Sequence, residues 1–399
     1  MTTTASIPAP TPAPTSAPPA AAARVPFDGI LFFPVTPFDA AGAVDLDVFE
    51  AHVAARLPFA PGAVFPACGT GELHALSVAE AAAVVRRAVE VVAGVGGSLG
   101  TAVELARAAE AAGADALLVL PPYLVQGTQA GLVAYVDTVL AAGSLPVVLY
   151  HRGDAQYSAQ TVRRLAANPR VIGFKDGVGD LARAQEVVLA VAEAGRAEFL
   201  FFNGLLTAEL SQAAYRGIGM PLYSSAAFAM APEIAMAHYA AYRAGDEQAR
   251  QRTLSVFYRP LVALRDEVPG FAVSLIKAGL RLRGLDVGSV RAPFVDPTPE
   301  QLDRLSDILD AGLALADEAG DHRAVDPARP HPAAPPVGRG RPGPVRRGRR
   351  RHRPVRRRGP RLRLDAHHRR ARGSGPARPR HPRLGARPPG RPRRLADAG

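Results

Sequence analysis

Only two lysines, Lys175 and Lys277, stand among the 48 basic residues of the chain. Lys175 closes the short run Val171-Ile172-Gly173-Phe174-Lys175, just before Asp176-Gly177, and a run of that length and branching reads as a buried strand. A lysine at a strand end has an ordinary explanation, a cap paired with Asp176. It also has a chemical one, because lysine, unlike arginine, can lose its proton and attack a carbonyl to form a Schiff base. Other apolar runs end in groups suited to the same chemistry: Thr36, Cys68-Gly69-Thr70-Gly71-Glu72, Pro121-Pro122-Tyr123, Tyr150-His151-Arg152, Asn203-Gly204 and Tyr223-Ser224-Ser225. The set offers an amine, phenols, hydroxyls and an arginine, with no metal-ligand cluster and no phosphate cradle, which suits imine chemistry on a carboxylated carbonyl compound.

The elements that must position these groups alternate. Short apolar runs at 29–34, 63–66, 116–120, 146–150, 171–175, 198–202 and 220–223 are separated by amphipathic stretches such as 99–112 and 181–194. This is the pattern of parallel βα units. Further helical patterns follow at 232–244, 246–264, 271–282 and 299–318. The expected fold class is α/β, a (β/α)8 TIM barrel over 26–230 with C-terminal helices over 231–320 packed on it. A doubly wound sheet is the alternative, weakened because no strand leads into a G-x-G-x-x-G turn.

The third strand is the weak point of this reading. Residues 77–94 can form one helix, which leaves no strand before Gly96-Gly97-Ser98. Losing a stave would open two barrel edges, at a cost beyond the roughly 5–15 kcal/mol by which domains are stable. The expectation is therefore a helix that stops near Ala88 and a shortened third strand over Val89 to Gly94.

The termini differ in kind from this body. Residues 1–25 are Ala, Pro and Thr with one charge and are expected to be disordered. They resemble neither a signal peptide nor a membrane anchor. The formal charge of +12 conceals a split, with +22 carried by 322–399 and −10 by 1–321. The arginine- and proline-rich tail over 321–399 is also expected to be disordered. Two readings of it are a nucleic-acid-binding arm and GC-rich coding sequence read in the wrong frame. The absence of lysine and of interleaved aromatics there favours the second, so nucleic acid is not an expected partner. No segment is apolar for the roughly 20 residues that span a bilayer, and the single cysteine, Cys68, fits a reducing, cytoplasmic setting.

From Gly29 to about Glu318 the chain resembles the dihydrodipicolinate synthase and N-acetylneuraminate lyase superfamily of class I aldolase-type barrels. Within it, Phe32-Phe33-Pro34-Val35-Thr36, Gly69-Thr70-Gly71-Glu72, Leu120-Pro121-Pro122-Tyr123-Leu124, Gly173-Phe174-Lys175-Asp176-Gly177-Val178-Gly179-Asp180 and Tyr223-Ser224-Ser225-Ala226 resemble the 5-dehydro-4-deoxyglucarate dehydratase family. The resemblance implies a lyase without a cofactor or metal. Lys175 would form an imine with the keto group of an α-keto diacid, an enamine would expel the β-hydroxyl as water, and decarboxylation at the far end would give 2,5-dioxopentanoate. It further implies that Tyr150 shuttles protons with Thr70 as relay, and that Thr70 with the Gly69 to Gly71 turn binds a carboxylate. Ser224, Ser225, Asn203 and Arg152 become substrate contacts, with pairing to Asp154 the alternative for Arg152. Tyr123 would serve the relay, within a subunit or across a subunit contact of a homo-oligomer. Lys277 is expected to be a structural or interface charge and Cys68 a packed residue. Two departures, His151 where relatives carry Asn and Leu73-His74 where they carry Phe-Phe, leave the lysine chemistry intact and bear on substrate choice. The alternatives are another pyruvate-type aldolase or synthase of the superfamily, and an inactive barrel with a basic arm.

Overall fold

The computed structural model describes residues 27–320 except 89–90, 123–124 and 154; both expected tails and Tyr123 lie outside the described residues. Eight parallel strands form its centre: β1 (Leu31–Phe32), β2 (Ala63–Val64), β3 (Val92–Gly97), β4 (Ala116–Pro122), β5 (Val147–His151), β6 (Val171–Asp176), β7 (Leu200–Asn203) and β8 (Leu222–Ser225). They lie in the order β2-β1-β8-β7-β6-β5-β4-β3. A parallel bridge between Val64 and Val91 joins the two ends of that order, so the sheet curls into a nearly closed (β/α)8 barrel. Between the strands run α1 (Leu46–Ala54), α2 (Val78–Arg86), α3 (Leu99–Ala111), α4 (Gln129–Ala141), α5 (Ala159–Ala166), α6 (Leu181–Glu193) and α7 (Gln212–Gly217).

Local chemistry sets where several of these helices begin. The side chains of Ser98, Thr128, Ser158 and Asp180 each accept a hydrogen bond from the backbone N–H three residues on, satisfying donors that the first turn leaves open. Alternate strand residues then divide between two cores. Phe33, Phe65, Val92, Leu118, Val148 and Phe202 fill the barrel, with the Phe33 and Phe65 rings stacked at 4.5 Å. Val95, Val119, Leu149 and Phe174 turn outward against the helices.

The third strand is present, three residues later than expected. The helix ends at Arg86, shorter than the periodicity allows, and β3 begins at Val92. Residues 91–94 are extended rather than helical. β3 pairs with β4 from Val92↔Ala116 to Gly97↔Pro122, while its contact with the β2 side is thin: the Val91 bridge and a Gly94 N–H to Pro66 O bond of 3.4 Å. Gly94 makes that seam possible, because a Cβ there would sit 2.2 Å from Ala67 O. The chain spends its short connection here by ending β3 directly at Gly97-Ser98, where α3 starts. Barrel closure outweighs the helical propensity of the alanine-rich segment.

After β8 come α8 (Ala227–Met230), α9 (Pro232–Ala244), α10 (Glu247–Thr253), a π-helical turn over Leu254–Tyr258, α11 (Arg259–Arg265), α12 (Phe271–Leu282) and α13 (Pro299–Gly320). Ile234, Phe257, Leu261, Leu275, Leu305 and Leu309 bury their faces together and against Phe32 and Tyr223 of the barrel strands. Lys277 on α12 is structural: its Nζ lies 2.7 Å from Glu72 Oε1, with both side chains fully buried, and donates to Ser289 O at 2.9 Å. It also stands 3.9 Å over the Phe38 ring. Through this pair α12 holds the turn that follows β2. Among the described residues no helix is long and apolar enough to cross a membrane.

Candidate active site

Whether Lys175 reaches the barrel interior depends on one extra residue. Val147 pairs with Val171 but Val148 pairs with Gly173, so β6 carries a bulge at Ile172. Ile172 packs toward the interior cluster, and a Cβ on Gly173 would press on Leu200 at 3.0 Å, which packs against that same cluster. Phe174 therefore faces out into the helix layer and Lys175 faces in. Uninterrupted alternation from Val171 would have reversed both.

Lys175 is 4 % exposed. Its Nζ lies 4.0 Å from the centroid of the Phe33 ring and 4.3 Å from that of Tyr150. Gly204 gives its stem room, since a Cβ there would come within 2.3 Å of Lys175 Cε. Burial lowers the Lys175 pKa, opposed by Tyr150 and Cys68 and assisted by Arg152. The Cys68 thiol is itself pushed up to about 12 by burial. It stays neutral at physiological pH, so it neither attacks nor holds the lysine as a cation. The amine thus sits in an environment that favours its neutral, nucleophilic form.

The Tyr150 phenol donates to Gly204 O at 3.1 Å and accepts from Arg152 Nη1 at 2.9 Å. Arg152 therefore spends a donor on orienting the phenol; Asp154, the alternative partner expected for it, lies outside the described residues. Lys175, Tyr150, Arg152, Thr70, Gly69 and Ser224 all line one cavity of about 840 Å³ at the C-terminal ends of the strands, the face on which barrels of this kind carry their chemistry.

Three expected contacts are placed elsewhere. Asn203 donates to Ala208 O and Ser211 Oγ and accepts from Leu205 N–H, so its amide is spent on the turn after β7. Ser225 donates to Glu209 Oε1 at 2.5 Å and accepts from Phe228 N–H at 3.1 Å, which caps the start of α8. Gly71 is buried under the turn, its carbonyl taken by the Thr36 hydroxyl at 2.7 Å, and a Cβ there would meet Ala67 N at 2.9 Å. None of the three lines the cavity, although Asn203 and Ser225 hold Leu205 and Glu209, which do. The two departures divide likewise. His151 accepts from Tyr157 N–H through Nδ1 and packs against Phe174 outside the barrel. His74 lines the cavity and meets the Phe294 ring at 4.6 Å.

Sequence reasoning gave no role to Phe33 and Gly204, which shape the Lys175 pocket, and missed Glu209, Thr207 and Arg265, which also line the cavity. Gly204 had a signal, since it follows Asn203 at a strand end. Arg265 had none, because it comes from the helical extension. Among the described residues no group of His, Cys, Asp and Glu is arranged to hold a metal.

Comparison with known proteins agrees with the geometry. The dihydrodipicolinate synthetase family matches residues 26–312. A Streptomyces coelicolor protein named "Probable 5-dehydro-4-deoxyglucarate dehydratase 1" is 50% identical over 307 residues, covering 75% of this chain and 97% of that one. A Streptomyces griseus protein named "Probable 5-dehydro-4-deoxyglucarate dehydratase" is 51% identical over 308 residues, covering 75% and 96%. The crystal structure of dihydrodipicolinate synthase from Bacillus clausii superposes with a TM-score of 0.66 at 28% identity, covering 73% of this chain and 99% of that one. The chain belongs to the dihydrodipicolinate synthetase family.

Proposed function

We propose that this chain is a Schiff-base lyase that removes water and CO2 from 5-dehydro-4-deoxyglucarate, giving 2,5-dioxopentanoate. The observation that carries the reading is Lys175, a buried amine with a lowered pKa in a cavity that also holds the Tyr150 phenol. The names of relatives about half identical to it supply the substrate.

The neutral amine adds to the keto carbon and the carbinolamine loses water to form an iminium. That cation acidifies the neighbouring C–H. Its proton leaves, the electron pair passes into an enamine, and the enamine expels the β-hydroxyl with a proton as water. The resulting iminium is conjugated with a carbon–carbon double bond. It draws in the electron pair of the bond to the far carboxylate, which departs as CO2. The dienamine left behind takes a proton at carbon to restore the iminium, its enol end tautomerises to the aldehyde, and hydrolysis of the iminium frees Lys175.

Tyr150, oriented by Arg152 and Gly204, is the group we assign to carry protons to and from the imine and the leaving hydroxyl, with Thr70 completing the relay. Gly69 and Thr70 receive the carboxylate beside the keto group, and Ser224 contacts the substrate. Asn203, Ser225 and Gly71 hold these groups in place. No step in this sequence calls for a cofactor. We expect the barrel over 26–230 and its C-terminal helices over 231–320 to act as one catalytic unit, working in the cytoplasm as a homo-oligomer.

Borohydride reduction in the presence of 5-dehydro-4-deoxyglucarate, followed by peptide mapping, tests the reading. An adduct on Lys175 whose mass lacks water and CO2, together with CO2 release, is expected. Condensation of pyruvate with an aldehyde and no CO2 release would instead identify an aldolase or synthase of the family. No adduct with either acid would leave the barrel without this chemistry.

A further inference from the structure

The cavity extends beyond the barrel, where α11 and the chain after it form its outer wall. Arg265, the last residue of α11, is held there on two sides. Its Nε donates to Asp266 Oδ1 at 2.8 Å and its Nη1 to Thr207 Oγ1 at 2.8 Å. The side chain is 15% exposed. Among the described residues its Nη2 makes no hydrogen bond, so a half-buried guanidinium that lines the cavity keeps donors free for a ligand.

Thr207 adds a second observation. Its φ is 52°, the left-handed region that a β-branched residue adopts only under constraint. In this conformation its hydroxyl meets Arg265 from across the cavity wall, 58 positions away in the chain. Strain of this kind persists where the surroundings enforce it, and it fixes a side chain in place.

The other charged groups that line the cavity each have a partner or a role of their own. Arg152 orients Tyr150, Glu209 is bonded to Ser225, Asp266 takes Nε of Arg265, and Lys175 is the nucleophile of the proposed reaction. Arg265 is the cation of the outer wall with donors unused, and a planar fork of donors matches a carboxylate.

We propose that Arg265, set by Thr207, binds the far carboxylate of a 2-oxo diacid whose keto carbon is joined to Lys175. The proposal rests on the Schiff-base reading above and adds to it a reason for preferring dicarboxylic over monocarboxylic 2-oxo acids. Arg265 and Thr207 act on binding and on the direction of the bond that breaks, not on imine formation.

The test is borohydride trapping at Lys175 with two six-carbon acids that differ only in the terminal group, 2-oxoadipate and 2-oxohexanoate. Wild-type protein should reach half-saturation with the diacid at a concentration about 10- to 100-fold lower, the range for one charge-assisted contact. Arg265→Met should erase that preference by weakening the diacid alone, and Arg265→Lys should restore part of it. Thr207→Val, which keeps the side-chain shape and loses the hydroxyl, should reduce the preference several-fold and serves if Arg265→Met fails to fold. Equal half-saturation of the two acids in the wild type would overturn the proposal. So would a preference that survives in Arg265→Met, or equal loss of both acids, which marks a structural residue. Trapping of neither acid by the wild type would overturn the Schiff-base reading itself and this proposal with it.

Discussion

Lys277→Met should destabilise the protein severely, although Lys277 lies outside the cavity. Lys277 and Glu72 are both fully buried 2.7 Å apart, and Lys277 also donates to Ser289 O. Burial, partly offset by Glu72, lowers the lysine from 10.5 to about 8. That shift corresponds to about 3 kcal/mol, so the desolvation of the ammonium exceeds what its partner returns. Removing the lysine alone leaves a buried carboxylate whose remaining hydrogen bond comes from Arg291 N–H, together with an orphaned carbonyl at Ser289. Breaking one side of such a pair costs about 3–5 kcal/mol, a large part of the total for a domain and on the order of 10 °C in melting temperature. Combining Lys277→Met with Glu72→Gln should recover much of the loss, because an amide keeps the acceptor for Arg291 without the charge. Urea unfolding of the two single variants and the double, at one protein concentration so that assembly is held constant, measures the cycle. The reasoning fails if Lys277→Met unfolds within 1 kcal/mol of the wild type, or if the double variant is no better than the worse single one.

Three further outcomes follow from the same geometry. Tyr150→Phe keeps the ring beside Lys175 and loses the hydroxyl, so turnover should fall about 10²- to 10⁴-fold while borohydride still traps substrate on Lys175; turnover within 10-fold of the wild type would exclude the phenol as the proton carrier. Glu209 is pushed from 4.5 up to about 7 by burial, so between those pH values the folded chain holds a proton that the unfolded chain has released. Stability should therefore fall as pH rises through that window, by about 3 kcal/mol, and Glu209→Gln should flatten the dependence in urea unfolding; parallel profiles would refute the assignment. At the thin seam of the barrel, Gly94→Ala drives a Cβ to 2.2 Å from Ala67 O and should cost about 1–3 kcal/mol or more. Gly100→Ala in α3, with nothing within 4 Å of the new Cβ, should be neutral or stabilising by comparison, and equal effects of the two would place the seam wrongly.

Local sequence determined a good deal of this protein. The alternation of apolar runs with amphipathic helices carries the barrel, because strand and helix periods differ and each must bury one face. A lysine at the end of a β-branched run marks the proposed nucleophile, since its chemical distinction from arginine is a property of the residue itself. Tyr150, Thr70 and Ser224 are visible because polar groups at the C-terminal strand ends of a barrel are candidates for its site.

Tertiary structure decided what contacts distant in the chain decide. Lys175 faces inward because β6 carries an extra residue relative to β5, and a strand's own sequence does not reveal the register of its neighbour. The third strand starts at Val92 rather than Val89 because the Val91–Val64 bridge has to close the barrel, a demand outside the helix whose periodicity suggested otherwise. Asn203 and Ser225 look like substrate contacts until their partners, Ser211 and Glu209, are brought alongside. The pairing of Lys277 with Glu72 and of Arg265 with Thr207 joins the helical extension to the mouth of the barrel. Charge and hydrogen-bonding capacity are written in the residue, but which partner uses them is settled only when the chain packs.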